Sequence, residues 1–170
     1  MHSAVMKAAF ECHIGRISRY CRRRLCYAQS ADEATRQIFL EFAERFDDPD
    51  SPEGDFETRV WLYRAANRVI GEHLHRTRRQ RQIQMQSQHE RTGAYPDASG
   101  TTGTIDALTL SAAIEQLPPS QQDVAALRFY EGLGTREIGE ILGRGHRAVK
   151  AKLVKATMKL SQHLTQWLPK

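Results

Sequence analysis

Apolar residues recur at spacings of three and four along most of this chain, the signature of helices that each bury one face. Near the start, Phe10, Ile14, Ile17, Cys21 and Leu25 keep that spacing, which places Cys21 in a core. A second segment carries Ala34, Ile38, Phe39, Phe42 and Phe46, and Ser30 with Glu33 has the spacing of a capping box at its start. The acidic run Asp47-Asp48-Pro49-Asp50-Ser51-Pro52 cannot continue a helix, so a loop is predicted there. Asp55 is placed to cap a third helix with Leu62, Ala65, Val69 and His73 or Leu74 on its inner side. In the last third, Leu117-Pro118-Pro119-Ser120 opens a run of three amphipathic segments. Ser120 is the predicted cap of the first, which carries Val124 and Leu127 and stops at Gly132. Thr135 is the predicted cap of the second, with Ile138, Ile141 and Leu142, and Gly143-Arg144-Gly145 turns the chain into the third. There Val149, Leu153, Ala156, Leu160 and Leu164 form one stripe, leaving Arg147, Ala151 and Val154 to point away from it with Lys150 and Lys155 beside them.

Between the two helical parts the pattern lapses. From Gln80 to about Thr104 the chain is rich in Gln, Ser, Thr and Gly, with almost no apolar spacing after Met85. So long an unstructured run is unusual inside one compact domain. The expected architecture is therefore all-α: a helical domain over residues 1–79, a flexible linker over 80–104 and a helix-turn-helix domain over 105–170.

Charge gives these helices a direction. The formal net charge of the 170 residues is +5, which favours a polyanionic partner without naming one. The basic side of the last helix suits the major groove, where Lys and Arg reach phosphates and guanine edges; basic residues opposite an apolar stripe are also common on helices that contact only solvent. The third helix gathers Arg59, Arg64, Arg68, Arg76, Arg78 and Arg79, which accumulate towards its end. Cations there complement the helix dipole, but four arginines within Arg76-Thr77-Arg78-Arg79-Gln80-Arg81 repel one another more than capping requires, which points to nucleic acid. Trp61 and Tyr63 add aromatic surface of the kind that stacks on unpaired bases, and Trp61 is equally placed for the core.

Other chemistry finds little support. Cys12, Cys21 and Cys26 are an odd set without a CxxC pair, arguing against a disulfide framework and for a reducing, cytoplasmic setting. With His13 they fall on different faces of one helix, so no metal site is expected, and His73 and His75 diverge in the same way. Met1–Lys7 lacks the apolar core of a signal peptide, and no segment is apolar enough for insertion into a membrane. No nucleophile elbow, phosphate-cradling loop, calcium loop or catalytic carboxylate pair is present, so neither an enzyme nor a cofactor is expected.

With Trp61-Leu62-Tyr63-Arg64-Ala65-Ala66-Asn67 in the first unit, and Leu117-Pro118-Pro119 and Glu137-Ile138-Gly139-Glu140-Ile141-Leu142-Gly143 in the second, the chain resembles the bacterial extracytoplasmic-function (ECF) sigma factors of the sigma-70 family over nearly its whole length. The resemblance implies a first domain that binds the clamp of the largest polymerase subunit and melts the minus-ten element. It implies a second that reads the minus-35 element and docks on the flap of the second-largest subunit. Core RNA polymerase and promoter DNA are then the partners, and an anti-sigma factor is common in the family. Carried over by position, Glu33, Gln37 and Phe39 fall in the polymerase-binding helix, and the loop ending at Phe56 in the one that captures a flipped base. Trp61, Arg64, Asn67, Arg68, Glu72, His75 and Arg76 fall in the minus-ten reader. Thr135, Arg136, Arg147, Lys150, Ala151 and Lys155 fall in the minus-35 reader.

This chain departs from the family pattern at several of these positions. Arg36-Gln37 stands where a glutamine and an acid are usual, placing positive charge on the polymerase-binding helix; phosphorylation of Thr35 would restore negative charge. Arg68 and His75 replace the usual asparagine and arginine, and Arg147-Ala148-Val149-Lys150-Ala151-Lys152 departs from the usual start of the recognition helix, so the promoter sequence does not transfer. The competing readings are a self-sufficient helix-turn-helix regulator whose first domain dimerises or senses a ligand, and an RNA-binding protein, which leaves the helix-turn-helix without a purpose.

Overall fold

A computed structural model describes residues 2–25, 27–45, 54–87 and 107–165. All of its regular structure in that range is helical: α1 His2–Arg24, α2 Ala28–Arg45, α3 Asp55–Ser87, α4 Ala107–Glu115, α5 Pro119–Phe129, α6 Thr135–Leu142 and α7 His146–Thr165. The acidic run 47–52, Phe46, Cys26 and the linker from residue 88 onward lie outside the described residues.

The first three helices pack on one another as their periodicity predicts. Ile17, Cys21 and Leu25 of α1 and the bend after it meet Ile38 and Phe42 of α2 and Leu62, Ala66, Val69 and Ile70 of α3, all buried. Each Leu or Ile withdrawn from water in this way contributes about 1.5–3 kcal/mol. Phe10 is only half-buried, its ring set edge-on against Phe39 with centroids 4.9 Å apart. Helix α2 starts before Ser30, so Ser30 and Glu33 lie inside the helix and form no cap. Helix α3 runs to Ser87, past the predicted end at Arg79, because Gln80 to Gln86 contains no helix breaker even where its apolar spacing fades.

In the C-terminal part, α4 supplies an element the periodicity reading left out. Its Ala113 and Ile114, with Leu117 just beyond it, join Ala125, Ala156 and Leu160 in a separate small core. Pro118, not Ser120, is the residue before α5, and Pro119 opens the helix. Buried Gln122 donates Nε2 to the carbonyls of Glu115 and Leu117 at 2.8 and 2.7 Å, closing the end of α4 that a cap would otherwise serve. At α6 the cap is Gly134, and Thr135 is the first helical residue. Glu137 reaches back to accept from the Gly134 N–H at 3.4 Å. The turn into α7 is tight: Gly143 is left-handed (φ +61°), and the Arg144 N–H donates to the Gly139 carbonyl at 2.8 Å.

The two parts meet along α3 and α6. Leu133, Ile138, Ile141, Val124 and Leu127 belong to the same continuous apolar cluster as Tyr63, Val69 and the buried faces of α1 and α2. Where the sequence suggests two separate bodies, the structure packs them together.

Candidate nucleic-acid interface

Because Gly143 turns the chain sharply, α7 leaves α6 with its apolar stripe facing α5 and its basic side facing solvent. Val149, Ala156 and Leu160 are buried, while Arg147, Lys150, Ala151 and Lys155 are exposed. Arg147, Lys150 and Lys155 make no salt bridge among the described residues. At the start of α6, Arg136 is exposed and Thr135 half-buried. Thr135 and Lys150 converge with His146 and Val154 on a shallow open groove of about 490 Å³. Val154 and Met158 are 53% and 60% exposed, unusual for apolar residues one turn apart on a soluble helix. The sequence already points Val154 away from the stripe; Met158 completes an apolar strip beside the lysines, of the kind that contacts thymine methyl groups.

On α3 the predicted contacts divide. Arg64, Arg68, His75 and Arg76 are exposed, as are Arg78, Arg79 and Arg81 beyond them. Since the helix continues to Ser87 and its last turn holds no basic residue, the dipole does not account for Arg76 to Arg81. Asn67 corrects the assignment made by position. Its Oδ1 accepts from the Tyr20 hydroxyl at 2.9 Å and its Nδ2 donates to the Tyr63 carbonyl at 2.8 Å, so its amide ties α3 to α1. Trp61 is half-buried against the Phe42 ring, centroids 5.4 Å apart, and belongs largely to the core. Arg68 is engaged by Glu41 and by Glu72, and Glu72 is thereby taken as well. Phe56 is 41% exposed, with the Arg59 guanidinium 5.8 Å from its ring centre.

The α2 residues divide likewise. Glu33 is exposed and Gln37 half-buried, donating to Glu41 at 3.0 Å. Phe39 is 8% exposed and belongs to the core, which corrects its assignment as a polymerase contact. Leu40, one residue on, is 55% exposed instead. It lines a groove of about 640 Å³ between α1 and α2 with Phe10, Phe39, Arg36 and Lys7. Thr35 is buried and donates its hydroxyl to the Ala31 carbonyl at 2.7 Å, so it is no accessible phosphorylation site.

Several groups are held away from their ordinary ionisation. Burial pushes the Cys21 thiol up to about 11, which makes it inert. His13 is lowered, chiefly by burial, against the opposing pull of Asp55, whose carboxylate lies 3.1 Å from its Nε2. Burial and the Glu131 carboxylate raise the Tyr63 hydroxyl, keeping it a proton donor to Glu131.

Polar bonds join the two parts beside their shared apolar core. Arg59 pairs with Glu137 at 2.6 Å, and Arg64 donates to the carbonyls of Glu140 and Ile141 at 2.6 and 3.4 Å. Buried Arg24 pairs with Asp123 at 2.8 Å and donates to the Tyr20 hydroxyl at 3.1 Å. Arg23 donates to the Tyr130 carbonyl at 3.3 Å, and Ser111 donates to the carbonyl of Arg23 at 2.9 Å.

Known proteins share this fold and parts of this sequence. Residues 107–160 match the model of sigma-70, region 4. The ECF RNA polymerase sigma factor BldN of Streptomyces coelicolor is 25% identical over 156 residues, 87% of this chain and 56% of that protein, so the chain spans about half the length of this relative. Among solved structures, CnrH in complex with the cytosolic domain of CnrY aligns with a TM-score of 0.70 at 18% identity, over 96% of this chain and 90% of that one. The sigma factor RpoE of Bartonella quintana, in complex with the anti-sigma factor NepR, aligns with a TM-score of 0.69 at 14% identity, over 94% and 96%. These two share the all-helical fold across nearly the whole chain. The region 4 match runs from α4 into α7, and the likeness to BldN, an ECF sigma factor, reaches across both parts of the chain.

Proposed function

We propose that the protein binds core RNA polymerase and directs promoter-specific transcription initiation, α7 reading the minus-35 element and α3 the minus-ten element during melting. The observation that carries this is the pair of exposed cationic faces, one on α3 and one on α7, each opposite a buried apolar stripe. A DNA-binding domain with a dimerisation module needs only the second. On this reading Arg136, Arg147, Lys150, Ala151 and Lys155, with Thr135 at the start of α6, face the minus-35 duplex, and Val154 joins them. Arg64, Arg68, His75, Arg76 and the exposed edge of Phe56 serve the melted strand, where cations and an aromatic face hold unpaired bases. Glu33, Gln37 and Leu40 meet the polymerase clamp, and region 4 docks on the flap. The protein acts by binding, with no catalysis of its own. The NepR complex of RpoE supports an anti-sigma partner for this chain also.

The test is co-elution of the purified protein with bacterial core polymerase, followed by run-off transcription of genomic fragments by the complex. Stable association and new transcript starts are expected. Failure to associate, with tight duplex binding by the protein alone, would move the assignment to a self-sufficient regulator.

A further inference from the structure

Where the end of α1 and residues 73–81 of α3 face α4 and the end of α5, they enclose a cavity of about 230 Å³. Its lining brings four arginines, Arg23, Arg24, Arg78 and Arg81, together with one carboxylate, Glu115. Asp123 neutralises Arg24, and Arg23 has an uncharged acceptor in the Tyr130 carbonyl. Arg78 and Arg81 make no hydrogen bond or salt bridge among the described residues. The helix decides which arginines reach the cavity. At about 100° per residue, Arg78 and Arg81 lie within about 40° of Leu74, which packs against the core, whereas Arg79 lies about 140° from it.

The wall opposite α3 is fixed by its own bonds. The Tyr130 hydroxyl donates to Ser111 Oγ at 3.1 Å, Ser111 donates to the Arg23 carbonyl at 2.9 Å, and the Arg23 guanidinium lies 5.2 Å from the Tyr130 ring centre. Leu74 and Tyr130 pack against the apolar cluster that the two parts share, so the cavity belongs to the packed chain and needs no movement to form. The Ser30 and Tyr27 hydroxyls, also in the lining, make no hydrogen bond among the described residues. Donors without acceptors therefore collect in a space where acceptors are scarce.

We propose that this cavity binds a small phosphate-bearing anion, gripped by the guanidiniums of Arg78 and Arg81. Guanidinium forks match phosphate oxygens two at a time, and an anion between the two arginines relieves their mutual repulsion. The volume is below the roughly 300–1,000 Å³ of ordinary ligand pockets, so a phosphate or pyrophosphate group fits inside and a nucleotide enters phosphate first, its base left at the exposed Tyr27 ring. A nucleic-acid strand fits less well, because a backbone is tracked along an open groove and this space is walled by helices from both parts of the chain. The inference is independent of promoter reading by α3 and α7.

The test is calorimetric titration of the full chain with inorganic phosphate, inorganic pyrophosphate and ATP in turn, at about 0.15 M salt so that loose surface attraction is screened. One-to-one binding is expected, with a melting temperature that rises with probe concentration, since the ligand binds only the packed chain. Arg78→Ala and Arg81→Ala should each weaken binding about tenfold or more. Arg79→Ala removes the same charge from the opposite side of the helix and should leave the affinity as it is. All three side chains are exposed, so the variants keep the fold, which circular dichroism checks. Equal affinity for pyrophosphate and ATP would assign the site to the phosphate groups alone, and tighter binding of ATP would add a contact to its base; either supports the proposal. It is overturned if no probe saturates at millimolar concentration, or if Arg79→Ala costs as much as the other two, which would make the attraction one of surface charge. It is equally overturned if Arg78→Ala and Arg81→Ala weaken only the binding of a single-stranded oligonucleotide, which would return both arginines to nucleic acid.

Discussion

A methyl group added to Gly139 would sit 2.6 Å from the main-chain oxygen of Arg144, nearer than real Cβ contacts come. The reason is the direction of the turn after α6. The chain doubles back through left-handed Gly143, and the carbonyl of Arg144 returns against the last turn of the helix it has just left. The angle between α6 and α7 therefore depends on a missing side chain.

Gly139→Ala should accordingly destabilise the protein by about 1–3 kcal/mol, since the atom in the way is backbone and cannot swing aside. Alanine ordinarily favours a helix interior over glycine by about 1 kcal/mol, so the sign of the change separates the steric effect from propensity. Chemical denaturation monitored by circular dichroism checks it; a more stable variant would mean that the turn relaxes freely.

The same turn shows what the sequence makes legible. Gly143-Arg144-Gly145 after an apolar pattern announces a helix-turn-helix, and the buried positions Val124, Leu127, Ile138, Ile141, Val149, Ala156 and Leu160 all follow from spacing. Periodicity reports which face of a helix is buried and says nothing of what covers it. It therefore leaves Arg64 and Arg59 looking like free cations, although α6 holds both. Position within a motif misleads for a related reason: Asn67 and Phe39 lie on helices with partly exposed faces, yet their own side chains point inward, to Tyr20 and Phe10. The cap at Ser120 fails because the helix opens at Pro119 with Pro118 before it, which leaves Ser120 inside the first turn.

Arg24 is a buried cation whose one paired carboxylate among the described residues is Asp123, from the other half of the chain. Asp123→Asn should leave that guanidinium short of its counter-charge. Breaking a fully buried pair costs about 3–5 kcal/mol. Because the Asp123 side chain is 37% exposed, water offsets part of this and about 2–3 kcal/mol is expected. Urea unfolding with intrinsic fluorescence measures it, and a change below half a kcal/mol would show that solvent already screens the pair.

Acidification should weaken the fold through His13. Burial holds this imidazole below its ordinary value of 6.5 in the folded protein, with Asp55 only partly opposing. The unfolded chain then binds the proton more readily, so the contribution is fully present above 6.5 and is lost as pH falls through the lowered folded value. Melting temperature should drop over that interval in the wild type, and His13→Gln should remove that part of the dependence. An unchanged slope in the variant would assign the loss to other groups.

Along α7, charge and apolar contact should be separable by salt. Lys150→Ala removes a cation and should cost about 1–3 kcal/mol of promoter-duplex binding, with a salt dependence shallower by about one counterion if it contacts phosphate. Val154→Ala carries no charge, so its effect should leave the salt slope intact and fall on particular base pairs, those whose thymine methyls the exposed side chain covers. Titration of the promoter duplex, and of variants with thymine replaced by uracil, at several salt concentrations distinguishes the two. If Val154→Ala weakens every sequence equally, the residue supports the helix rather than reading DNA, and the specificity of α7 rests on Arg147, Lys150 and Lys155 alone.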